Sequence, residues 1–248
     1  MLQTLKNQIL KLQRYQRHLE ATRLYNPKVN CTRIWYGNTY GGFYVHPNVL
    51  SQTSVVYSFG IGEDVSFDLE MIRQHQCQVI GFDPTPKSIK WVDQQQLPSH
   101  FIFKTYGIGV ISGEQKFHLP KNPDYVSGSA LSHNNVSVDD VITVEVKCIK
   151  DIMAELGHNY IDVLKMDIEG SETDVLCASR KLNKVKQLFI EYHSFVDETQ
   201  NLGELLSCLA KNNFRYYIHT QFCSKKPLID DKIQLGMDLQ LNIFAKQL

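Results

Sequence analysis

An α/β domain with a largely parallel sheet and helices on both faces is the fold class that this sequence predicts, and three observations predict it. Short strand-like runs alternate with helical periodicity from Val55 to near the C-terminus, the pattern of repeated β–α units. Tyr160–Met166 is a nearly continuous apolar run, as expected of a strand buried on both faces. Val55–Asp83 reads as strand, glycine turn, helix and strand, a unit that aims bare backbone amides and a helix N-terminus at a ligand.

Taken in order, Leu2, Leu5, Ile9, Leu12 and Leu19 place an amphipathic helix over residues 2–24, suited to capping the domain or pairing two subunits as a homodimer. A glycine- and aromatic-rich segment from Trp35 to Val45 follows, either a small hairpin on the core or the lining of a substrate entrance by Tyr40 or Tyr44. Residues 1–48 are thus expected to form an N-terminal extension and 49–248 the main domain. Beyond the opening unit, helices are expected at Pro86–Gln95, Ile149–Leu156, Ser171–Leu182 and Leu202–Asn212. Strands are expected at Phe101–Tyr106, Val141–Val146, Tyr160–Met166, Gln187–Tyr192, Phe214–Ile218 and Leu239–Phe244, with a hairpin at Gly109–Leu119 turning at Ser112-Gly113. Seven of these strands fit one sheet. The polar stretch 120–139 forms the longest loop, of the kind that often serves as a lid or substrate-binding segment.

The 26 basic and 26 acidic residues balance, so no electrostatic footprint for nucleic acid or an anionic membrane is present and a small or neutral substrate is expected. Six scattered cysteines, without a CxxC or a Cys/His cluster, point to reduced thiols in a cytoplasmic protein. No stretch resembles a signal peptide or a membrane span.

Chemistry-bearing residues gather at two strand ends. Lys165, Asp167 and Glu169 alternate after the buried run, and Glu191 and His193 alternate at the end of the next strand, where open parallel sheets bind ligands. One ion pair plus Glu169 capping the helix that opens at Gly170 would leave part of this set unexplained, which points to function for Asp167 or His193. At the glycine turn only two of three fingerprint glycines are present, but Asp83 lies 21 positions after Gly62, the separation needed to reach a ribose diol.

The segment Asp162-Val-Leu-Lys-Met-Asp-Ile-Glu-Gly-Ser-Glu172 closely resembles the iDvlKiDvEGxE motif of the FkbM-type methyltransferases, with agreement also at 58–64, at Gly81-Phe-Asp83-Pro-Thr-Pro86 and at Glu191-Tyr-His193. The resemblance covers roughly residues 50–245. It implies the seven-stranded class I methyltransferase fold, Rossmann-like, with S-adenosylmethionine as donor and a hydroxyl of a natural product, sugar or glycan as acceptor. It places Gly60 and Gly62 against the donor's methionine part, Asp83 on its ribose, and the surroundings of Tyr106 and Gly107 by its adenine. Two departures concern the donor's amino group: Ser58 stands where an acid commonly opens the motif, and Glu63-Asp64 replaces a small or glycine pair, so that Glu63 or Asp64 is a candidate for the missing carboxylate.

For proton removal from an acceptor hydroxyl, His193 has the best-suited free pKa, with Asp167 or Glu169 orienting it or serving as the base and Lys165 holding the carboxylates. A metal-assisted variant ranks below the metal-free one, because Lys165 beside the cluster would repel a cation. A nicotinamide-dependent oxidoreductase and a non-catalytic binding protein on the same fold are the alternatives.

Overall fold

The computed structural model describes residues 31–122, 124–133, 135–223 and 236–248; the helix expected over 2–24 lies outside them. In chain order the elements are β1 (Ile34–Tyr36), β2 (Phe43–Val45), β3 (Val55–Phe59), α1 (Ser66–His75), β4 (Gln78–Phe82), α2 (Pro86–Asp93), β5 (Phe101–Lys104), β6 (Gly107–Ile108), β7 (Gly113–Pro120), β8 (Val136–Lys147), α3 (Ile149–Glu155), β9 (Ile161–Met166), α4 (Glu172–Ala178), β10 (Val185–Phe195), α5 (Leu202–Lys211), β11 (Phe214–Cys223) and β12 (Met237–Gln247).

Seven strands form the expected sheet in the order β11-β12-β10-β9-β3-β4-β5. All neighbours from β10 to β5 run parallel, and β12 lies antiparallel between β10 and β11. The chain winds outward from β3 to β5 and then returns to β9 on the other side of β3, so the strand order reverses at β3/β9 and a crevice opens there. Every residue of β9 is buried, as its apolar run requires. In α1, Phe67, Met71 and Ile72 face the sheet, and Gln76 ends the helix in the left-handed conformation.

Two expectations need correction. Gly109–Leu119 is not a hairpin: the chain bends near Ser112, but β6 and β7 both pair with β8, β6 in parallel and β7 antiparallel, in a separate three-stranded sheet. The alternating polarity of β7 matched a hairpin arm equally well; its partner lies across the 121–135 loop. The strand expected at Val141–Val146 is correspondingly longer and starts at Val136, because Ser137, Asp139 and Asp140 make its largely exposed N-terminal half read as part of the polar loop.

The aromatic segment is a hairpin, with β1 and β2 antiparallel. Phe43, the first residue of β2 after the turn, is fully buried among Phe67, Phe189 and Phe244. Burying such a side chain stabilises by roughly 1.5–3 kcal/mol, enough to hold a short hairpin against the sheet. Its tip is tied to the start of α1: Asn38 Nδ2 donates to Asp64 Oδ2 at 2.8 Å, and the Asn38 amide donates to Ser66 Oγ at 3.0 Å. Among the described residues no helix is long and apolar enough to cross a membrane.

Candidate active site

A cavity of about 780 Å³ opens at the C-terminal ends of β3, β4, β9 and β10, within the size range of small-molecule sites. The glycine turn forms its floor, the tip of the β1–β2 hairpin with Tyr40 and Gly41 one rim, and the 121–135 loop the other. Tyr44 turns away and packs edge-on against Trp35 and Phe244. Among the bonds that tie the long loop down, Lys87 Nζ donates to the Asp124 carbonyl at 2.6 Å, Ser129 Oγ donates to the Glu169 carbonyl at 2.7 Å, and the backbones of Ser129 and His118 bond each other.

At the glycine-turn end, backbone geometry dominates. Gly60 has φ +77°, and a Cβ there would lie 1.7 Å from the Asp167 carbonyl oxygen, so only glycine lets β3 pass this close to the end of β9. Asp83, buried at the end of β4, accepts the Gly62 amide at 2.8 Å on Oδ2, and the amide and hydroxyl of Thr85 at 2.9 and 2.6 Å on Oδ1. A carboxylate offers about four acceptor sites, which leaves room for one more donor such as a ribose hydroxyl. Gly107 borders the cavity. Tyr106 does not: its ring packs on Phe82 in the core and its hydroxyl donates to Glu155 at 3.2 Å, on the opposite side of the chain from its neighbour. Glu63 pairs with Lys87 at 3.8 Å, and Asp64 is engaged by Asn38 and the Ser66 amide.

At the other end, charge dominates. His193 is buried, and its Nε2 faces Glu169 Oε2 at 3.7 Å, Asp167 Oδ1 at 3.9 Å and Glu191 Oε1 at 3.9 Å. Its Nδ1 lies 3.2 Å from Glu172 Oε1, which also accepts the amides of Ile168 and Gly170 at 3.2 and 3.1 Å. Glu172 is thus an acceptor to all three, so Nδ1 carries the hydrogen and Nε2 is turned to the carboxylates. Burial alone would lower the His193 pKa, but Glu169, Glu172 and Asp167 raise it well above the ordinary histidine value. Burial and then the charge of Glu191 push the Asp167 carboxyl well above the usual range, against the pull of Lys165 and His193. Glu191 is raised as well, chiefly by burial, and accepts a hydrogen bond from Gln240.

The structure therefore brings Asp167, Glu169, Glu191 and His193 together, while Lys165 takes another direction and donates to the Gly60 carbonyl at 3.0 Å. Strand alternation stops at Met166; Glu169 reaches the cluster through a left-handed turn, with φ +55°. The turn is closed by Glu172 rather than by Glu169, because Glu172 takes the two backbone amides. Atoms of Asp167, Glu169 and His193 lie within 4.8 Å of one another, close enough to share a cation, although the Lys165 charge already reaches Asp167 and Glu191.

Three contributors went unassigned from sequence. Glu172 sits inside the quoted motif, and its complete burial was the feature hidden in one dimension. His133, in the long loop, stacks on Phe195 at 3.6 Å and borders the cavity; burial pushes its pKa down to about 4. Asp68 lies buried in the first turn of α1, among residues that read as an ordinary helix.

The sequence profile of the methyltransferase FkbM domain matches residues 25–216. "Probable methyltransferase-like protein 24" of Homo sapiens is 28% identical over 142 residues, 56% of this chain and 32% of that protein. "2-O-methyltransferase NoeI" of Sinorhizobium fredii (strain NBRC 101917 / NGR234) is 27% identical over 132 residues, 47% of this chain and 54% of that protein. The chain thus spans about a third to a half of the length of these curated relatives. Among solved structures, magnesium protoporphyrin IX methyltransferase from Synechocystis PCC 6803, with bound SAM, aligns at a TM-score of 0.43 and 10% identity, covering 81% of this chain and 72% of that one.

Proposed function

The chain belongs to the methyltransferase FkbM domain family, and from that premise we propose that it transfers a methyl group from S-adenosylmethionine, the donor of that family, to a hydroxyl oxygen of a small natural product, sugar or glycan. The observation that carries the proposal is the gathering of Asp167, Glu169, Glu191 and His193 around one face of the cavity, opposite a glycine turn that no larger residue fits. The residues suit the donor: Gly60 leaves the turn bare, and Asp83 keeps an acceptor site beyond its three bonds. A relative that bears the name 2-O-methyltransferase supports oxygen as the acceptor atom.

Bound there, S-adenosylmethionine supplies a methyl group on a sulfonium, open to in-line displacement. The chain holds the acceptor in line, and such alignment is worth on the order of 7–11 kcal/mol. Of the two candidate bases, Asp167 takes the acceptor's hydroxyl proton: its raised carboxyl is a stronger base than an ordinary carboxylate, whereas the carboxylates around His193 favour its cationic form, which has no lone pair to accept a proton. His193, fixed through Nδ1 by Glu172, offsets the charge of the cluster and keeps Asp167 and Glu169 in place. Lys165 adds positive charge from the glycine-turn side, so no metal ion is required, and activity is expected to survive exhaustive chelation.

The proposal is tested by incubating the protein with methyl-labelled S-adenosylmethionine and a panel of hydroxylated glycosides and phenols. Label is expected in an alkali-stable ether. Label found only in an alkali-labile ester, or on nitrogen, would remove oxygen-ether formation.

A further inference from the structure

Two buried polar atoms beneath the glycine turn have no hydrogen-bond partner of good geometry, Asp68 Oδ1 and Ser58 Oγ. Asp68 is 1% exposed and borders the cavity. Burial pushes its carboxyl up; Lys165 opposes this most, and the Ser58 hydroxyl next. Lys165 does not neutralise it by contact, since its Nζ is spent on the Gly60 carbonyl and closes no ion pair with Asp68. A carboxylate this deeply buried is costly unless a cation and hydrogen bonds reach it. Its place in the first turn of α1 returns only part of that cost through the helix dipole.

The carboxylates nearest the turn in sequence are engaged elsewhere, Glu63 by Lys87 and Asp64 by Asn38 and Ser66. Asp68 lies one helical turn further on and comes back beneath Ser58, the position where an acid was expected and is missing. We propose that Asp68, with Ser58 beside it, holds the α-ammonium of the donor's amino-acid end. The assignment rests on the donor proposed above. An ammonium offers three donors, enough to satisfy both orphaned oxygens at once, and it brings into direct contact a positive charge that Lys165 exerts only from a distance.

The test is calorimetric titration of the wild type and Asp68→Asn with two ligands: S-adenosylhomocysteine, and 5′-deoxy-5′-methylthioadenosine, which keeps the adenosine and thioether but lacks the amino-acid end. Asp68→Asn is expected to weaken S-adenosylhomocysteine about tenfold or more, the loss of one charge-assisted bond, and to leave the truncated ligand within about twofold. Equal weakening of both ligands, or of neither, overturns the assignment. If Asp68→Asn does not fold, Ser58→Ala is read the same way, with a smaller selective loss expected and an equal loss overturning it. A wild type that binds no S-adenosylhomocysteine is a different outcome: it removes the donor itself, whereas failure of the Asp68 assignment leaves wild-type binding intact.

Discussion

The glycine-turn end of the cavity is shaped by backbone, whereas the histidine end is shaped by charge. At the first, Gly60 and Gly62 are fixed by close approach and by amide bonds to Asp83, and the carboxylate there is well supplied with donors. At the second, Asp167, Glu169, Glu191 and Glu172 surround one histidine, and the pKa values of Asp167 and Glu191 are driven up by burial first, with the charge of Glu191 adding at Asp167 and that of Glu169 adding at both. The difference predicts two kinds of fragility. Substitutions at the turn act through folding, and those at the cluster act through chemistry, with stability free to move the other way.

The largest effect is expected at Gly60. Gly60→Ala meets both a positive φ and the Asp167 carbonyl, so a loss of roughly 3 kcal/mol or more in urea unfolding is expected, together with loss of S-adenosylhomocysteine binding. A variant that melts like the wild type would break the contrast at its first term.

Asp167→Asn is next: turnover should fall about 10²–10⁴-fold, with folding retained. The Asp167 pKa is raised in the folded state, so its contribution to stability is fully present below the unfolded value and is lost as pH rises through the folded one. Above its folded pKa the ionised group is therefore a burden, and in that alkaline range the variant should melt no lower than the wild type. A lower melting temperature there would assign Asp167 a structural role. His193 is raised as well, so its contribution is present below the ordinary histidine value and fades as pH climbs through its folded pKa.

Glu172→Ala leaves the Ile168 and Gly170 amides and the His193 ring without their acceptor, at a cost of about 2–3 kcal/mol, with turnover falling further than stability alone explains. Glu172→Gln should recover part of both. The smallest effect is expected at the rim, where the Lys87–Glu63 pair at 3.8 Å is solvent-exposed: Glu63→Gln should change stability by less than about 1 kcal/mol.

Much of the fold was legible because its signals are local. The buried β9 run, the Gly60/Gly62 turn and the helical apolar spacings each depend on near neighbours in the chain. The β6–β8 sheet was not, since the partner of Gly113–Pro120 is chosen by tertiary packing across a long loop. At the site, Asp167, Glu169 and His193 were recognisable as alternating polar residues at strand ends. The roles of Glu172, Asp68 and His133 depend on burial, which residue type does not disclose. Tyr106 shows the converse: adjacency to Gly107 in sequence did not carry it into the cavity, because consecutive residues face opposite sides.

The central claim, that this cavity holds an adenosyl methyl donor rather than a dinucleotide, is tested most directly by thermal unfolding with S-adenosylhomocysteine and with NAD. At a hundredfold excess over Kd a ligand adds about 2.7 kcal/mol, which for a chain of this size raises Tm by roughly 5–10 °C. A shift of that order with S-adenosylhomocysteine and none with NAD is the predicted result; a shift with NAD alone would contradict it.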